Sequence, residues 1–139
     1  MLYVVMRQSK LRGCLISSLM GDVLGAPFEG ETVVSKNNLS KYLTNLKTST
    51  PDMIQTYTDD TAMARQVAQS LIVCKGYDAV DMARRFVTEY YSEPYRGYGA
   101  NIAKVFSALR SQRFQDVYKP AREQFDGSGS YGNGGAMRV

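Results

Sequence analysis

Apolar residues recur at three- and four-residue intervals through most of the chain, a spacing that predicts helices rather than strands. In residues 10–25, KLRGCLISSLMGDVLG, the apolar positions are Leu11, Cys14, Leu15, Leu19 and Val23, with Ser9 placed to cap the helix. Gly13, Ser17, Gly21 and Gly25 recur every fourth residue and form a ridge of small side chains, which another helix or a ligand can approach closely. A shorter helix fits residues 38–46, followed by a turn at Thr50-Pro51-Asp52. Residues 59–75 carry a face of Ala62, Met63, Ala64, Val67, Ala68 and Leu71. Residues 78–92 form another helix, with Asp78 as its cap, and residues 99–111 align Ile102, Val105, Phe106 and Leu109 on one stripe. No segment alternates convincingly with period two, so the chain reads as all-α. The opening MLYVVMRQSK has only a six-residue apolar stretch before Arg7. That is too short to span a bilayer, and it reads as a weak strand or a ragged terminus.

Composition narrows the function classes. The 139 residues are one domain's worth of chain, 44% hydrophobic and 22% charged, within the range of globular proteins. A formal charge of +4 with scattered Lys and Arg argues against a nucleic-acid groove and is compatible with phosphate-bearing ligands. The absence of histidine removes zinc sites and Cys–His or Ser–His–Asp nucleophiles from consideration. Cys14 and Cys74 lack CxxC spacing and are expected to be buried thiols in a reducing compartment.

Three stretches carry candidate chemistry. In YTDDTAMA, residues 57–64, Thr58 can cap a helix whose first turn holds Asp59 and Asp60, where the helix dipole favours negative charge. Two adjacent acids repel, however, and a hard divalent cation taking oxygen from Thr58, Asp59 and Asp60 resolves the conflict. Glu29, in the loop FEGET after Pro27, is either a solvated acid or part of a mobile gate. DGSGSYGNGGAMRV, residues 126–139, formally contains GxGxxG, but no strand precedes it, which excludes a dinucleotide fold. Its glycine N–H groups, with Ser128, Ser130, Asn133 and a helix start near Gly134, can cradle an anion; the alternative is a flexible linker. The same end, cut off within two turns of a helix start, suggests the N-terminal part of a longer protein.

Taken together, GCLISSLMGDVLGAPFEG, YTDDTAMA and GSYGNGGAMRV resemble the signatures of the ADP-ribosylglycohydrolase family, in the order that family shows them. DMARRFVTEYY, EPYRGYG and PAREQF are similar in particular to its serine-ADP-ribose- and poly(ADP-ribose)-hydrolysing branch. The resemblance implies the N-terminal portion of an orthogonal helical fold, a single incomplete domain over residues 1–139, with two Mg²⁺ ions bound in the complete site. It implies Thr58, Asp59 and Asp60 as metal ligands, and Glu29 as a loop acid that contacts metal and joins Asp59 and Asp60 in catalysis. Ser128, Gly129, Ser130, Tyr131, Gly132, Asn133 and Gly134 would wrap the diphosphate and ribose of ADP-ribose. Many family members carry a basic residue where Ser128 stands. The implied reaction is hydrolysis of the 1″-O-glycosidic bond of ADP-ribose on serine, in poly(ADP-ribose) or in O-acetyl-ADP-ribose, within the DNA-damage response. The implied partners are ADP-ribose, poly(ADP-ribose) and ADP-ribosylated proteins, with no direct nucleic acid and no membrane. The implied setting is a monomer in nucleus, cytoplasm or mitochondrial matrix. The alternative is a catalytically inactive fragment that binds ADP-ribose or a partner.

Overall fold

The computed structural model describes residues 2–48 and 55–138, with the side chains of residues 2–6 left aside. All regular structure among these residues is helical. The chain divides into two compact units, Met1–Tyr57 and Thr58–Val139.

In the first unit, α1 runs Leu2–Gly25, a short 3-10 turn covers Ala26–Phe28, and α2 runs Lys36–Thr48. The opening residues are therefore helical, neither strand nor ragged end. No Gly or Pro interrupts residues 2–12, so a helix nucleated downstream propagates through them, and Ser9 lies inside α1 instead of capping it. Phe28 meets Tyr42 edge to face at 5.1 Å, joining the 3-10 turn to α2. Leu11, Leu15, Ile16, Leu19 and Met20 of α1 are exposed, and nothing lies within 4 Å of a Cβ built on Gly13, Gly21 or Gly25. Thr50-Pro51-Asp52 lies outside the described residues.

The second unit contains α3 (Asp59–Cys74), α4 (Ala79–Ser92), α5 (Ile102–Ser111), the single turn α6 (Lys119–Arg122) and a 3-10 turn at Asn133–Gly135. The Thr58 hydroxyl caps α3 by accepting the Asp60 N–H at 3.3 Å, and Asp78 caps α4 by accepting from Val80 and Asp81 at 2.9 Å each. Between them Lys75 takes the left-handed conformation (φ 54°) that ends α3 and turns the chain back. Met63, Ala83, Val87, Val105, Phe106 and Leu109 form the core, with Ile102 packed against it, so the α5 stripe is kept, while of the expected α3 face only Ala62 and Met63 are buried. Burying each larger side chain contributes about 1.5–3 kcal/mol. Leu71 is exposed, and Gln66 and Ser70 are buried in its stead. The reason is Glu89 of α4, itself buried: it pairs with Arg65 and accepts from Gln66 Nε2 at 2.5 Å, so α3 turns a partly polar face to α4. Both cysteines are free and exposed, contrary to expectation; Cys74 sits in the last turn of α3, beyond the core.

Candidate functional site

Asp59 and Asp60 stand half-buried in the first turn of α3, where the positive end of the helix dipole favours negative charge. The Asp59 N–H donates to the Arg96 carbonyl at 2.7 Å, anchoring this helix start to the turn after α4. The turn is braced in its own right, because the Arg96 guanidinium meets both Glu93 carboxylate oxygens at 3.0 and 3.1 Å.

A cleft of about 260 Å³ opens beside this helix end. Asp59 lines it together with residues 99–102 at the start of α5, Gln124, Phe125, residues 130–134, Met137 and Arg138. Phe125 and Tyr131 close one side edge to face at 5.1 Å. The Ser130 hydroxyl accepts the Gly132 N–H at 3.1 Å, shaping the loop from within. The glycine-rich stretch thus splits: Ser130, Tyr131, Gly132, Asn133 and Gly134 reach the cleft with Asp59, whereas Ser128 and Gly129 do not line it. Gly129 serves the backbone instead, with φ at +83°. The expected helix start near Gly134 is only a three-residue 3-10 turn, so the loop offers N–H groups without the dipole of a long helix.

Arg138 is the residue that the sequence pattern did not single out. Its guanidinium lies over the Phe86 ring at 4.8 Å, and a Cβ on Gly134 would meet its Nη2 at 3.0 Å. Burial pulls its pKa below the ordinary arginine value, and Asp59, Tyr98 and Asp60 oppose that shift. A positive group therefore shares the field of the paired acids. Tyr98 is pushed well above the ordinary phenol value, first by burial and then by Glu89, Asp59 and Glu93. Its hydroxyl and Arg138 Nε are both buried and have no hydrogen-bond partner among the described residues. Such orphaned donors beside two carboxylates suit a site completed by a ligand or water. Only the spacing of Arg138 from the glycines could have signalled it.

Thr58, Asp59 and Asp60 offer oxygen donors alone, the chemistry that hard cations take. Among the described residues no group of three or more His, Cys, Asp and Glu side chains is placed to hold a metal ion. Two carboxylates and a hydroxyl are thus a partial set, fitting in donor type. Glu29 belongs to the first unit, exposed, with its N–H on the Ala26 carbonyl at 3.2 Å and Gly30 (φ +80°) following it.

The sequence model of ADP-ribosylglycohydrolase matches residues 5–139. The chain is 49% identical to ADP-ribosylhydrolase ARH3 of Gallus gallus over 140 aligned positions, 50% to that of Xenopus tropicalis over 132 and 47% to that of Homo sapiens over 137. Each alignment covers 94% of this chain and 38% of the relative, so the chain spans well under half the length of these curated proteins.

Proposed function

Since the chain belongs to the ADP-ribosylglycohydrolase family, we propose that it supplies part of the active site of a Mg²⁺-dependent hydrolase of O-linked ADP-ribose. The substrates are ADP-ribosyl serine, poly(ADP-ribose) and O-acetyl-ADP-ribose, all joined through the 1″ oxygen, and the partners are the proteins that carry them. Reversal of ADP-ribosylation in the DNA-damage response, acting as a monomer in nucleus, cytoplasm or mitochondrial matrix, completes this reading.

One observation carries it: Asp59 and residues 130–134 line the same cleft. A carboxylate beside clustered backbone N–H groups suits a ligand with hydroxyls at one end and a diphosphate at the other. In this reading Thr58, Asp59 and Asp60 hold Mg²⁺, with Glu29 contributing from its loop; bound metal supplies Lewis acidity and orients the ribose hydroxyls. N–H groups of residues 130–134 other than that of Gly132, which Ser130 holds, bind the diphosphate, Ser128 and Gly129 shape the approach, and Tyr131 and Phe125 form one wall. Arg138 balances the acids and the phosphates. A water oxygen attacks C1″ while the bond from C1″ to the serine oxygen breaks. Glu29 delivers a proton to the serine oxygen and regains the one that the attacking water loses, releasing ADP-ribose and a free hydroxyl. Asp59 and Asp60 also stabilise the positive charge that develops on the sugar ring.

The test is release of ADP-ribose from a serine-modified peptide by the full-length protein, with Mg²⁺ and with chelator. Chelation, Asp59→Asn and Asp60→Asn are each expected to take the rate to background. Turnover undiminished by all three overturns the reading. Binding of ADP-ribose with no turnover by the unmodified protein favours the second reading, a non-catalytic binding fragment, which the partial donor set makes worth separating.

A further inference from the structure

A second cavity, about 750 Å³, lies between α4 and the C-terminal end of α5. Three arginines converge on it, Arg84, Arg110 and Arg113, together with Tyr91 and Phe114. Arg110 lies over the Tyr91 ring at 4.5 Å and Arg84 over Phe114 at 5.4 Å. The ion pairs described in this unit engage Arg65, Arg85, Arg96, Lys119 and Arg122, and none of these three. All three are exposed and charged, and three like charges lining one hollow repel each other and favour an anion there. A guanidinium lying on a ring is held at its face, while its N–H edge keeps the forked geometry that phosphate oxygens accept.

The backbone builds this arrangement deliberately. Arg113 and Phe114 are both left-handed, with φ of 50° and 60°, without being glycine. The Arg113 N–H donates to the Arg110 carbonyl and the Phe114 N–H to the Leu109 carbonyl, both at 3.0 Å. This turn brings Arg113 and Phe114 back toward α4.

The candidate cleft touches the first residues of α5 and this cavity touches its end. The ten residues of α5 separate them, a rise of about 15 Å. Two anion-binding hollows spaced along one helix suit a chain that carries a diphosphate in every unit. We propose that the Arg84–Arg110–Arg113 cavity binds a diphosphate of poly(ADP-ribose) one or more units away from the bond in the cleft, conferring preference for polymer. This rests on the function proposed above.

The experiment measures fluorescence anisotropy of labelled poly(ADP-ribose) of defined length on the full-length protein under chelation, so that no polymer is consumed. Arg110→Ala/Arg113→Ala is expected to weaken polymer binding by about tenfold and to lower the salt slope of affinity by about one. Affinity for monomeric ADP-ribose and the melting temperature stay unchanged. Arg110→Lys/Arg113→Lys, keeping charge without the fork, falls between. Equal polymer affinity in all three proteins, equal losses for polymer and monomer, or a wild type that binds no polymer overturns the proposal. So does single-stranded DNA that competes equally with polymer for the wild type and loses affinity in the same variants. If the wild type fails to hydrolyse ADP-ribosyl serine while the polymer-selective loss persists, the catalytic reading falls and the cavity's role stands.

Discussion

The Asp59 N–H and the Arg96 carbonyl meet at 2.7 Å, and this one backbone bond fixes where the acidic helix start sits relative to the turn after α4. Because Arg96 is clamped by Glu93 through two contacts, the carbonyl is held by a braced turn. Arg96→Ala keeps the carbonyl but removes the brace. Its expected cost is about 1 kcal/mol in urea unfolding, with a parallel loss of ADP-ribose affinity. An unchanged affinity would show that the brace does not position Asp59.

Gly134 lies where a methyl group would collide with Arg138. Gly134→Ala places Cβ at 3.0 Å from Nη2, so the guanidinium over Phe86 must give by a few tenths of an ångström. Stability is expected to change by less than about 1 kcal/mol, since the far end of a flexible side chain can move. ADP-ribose binding, measured by calorimetry, is expected to weaken by about threefold, because a positive charge in the field of Asp59 and Asp60 is shifted.

Glu89 is the charged residue buried between α3 and α4, 8% exposed, and satisfied by Arg65 and Gln66. Gln66→Leu leaves one of its oxygens short of a donor, and the expected destabilisation is about 1.5–3 kcal/mol. Equilibrium unfolding followed by circular dichroism reads it directly. Gln66 stands two turns along α3 from Asp59 and neither it nor Glu89 lines the cleft, so activity per folded molecule is expected to persist.

Two partly exposed carboxylates, Asp116 and Asp81, contribute to the acid limit. Asp116 lies below its usual value chiefly through N–H bonds from Tyr118, with Lys119 and Arg122 adding, and Asp81 chiefly through Arg85. A carboxyl whose folded value is depressed stabilises the fold fully above the unfolded value of 3.8, and that contribution disappears as pH falls through the lower folded value. The melting temperature is therefore expected to fall below about pH 4, and Asp116→Asn is expected to flatten that fall while lowering stability at neutral pH. A pH profile unaltered by the substitution would contradict the assignment.

Much of the helical plan was legible because its signals are local. Asp78 and Thr58 cap as their residue types suggest, and the α5 stripe is buried as its spacing suggests. The opening residues misled because apolar run length says nothing about a helix already propagating from downstream. Leu71 and Ser70 exchanged places because Glu89 draws Gln66 and Arg65 toward α4, a tertiary demand that periodicity cannot register. In the site, Asp59 and the loop from Ser130 to Gly134 could be named from residue type, and the structure puts them in one cleft. Arg138 and Tyr98 could not, since their importance comes from burial beside the acids, which only the packed chain creates.

The most direct measurement is a high-resolution crystal structure of the full-length protein soaked with ADP-ribose and Mg²⁺. Density is expected for the diphosphate against the N–H groups of residues 130–134, with a cation at the Asp59 and Asp60 carboxylates. Ligand density elsewhere, with both acids facing bulk water and no ion between them, would contradict the account.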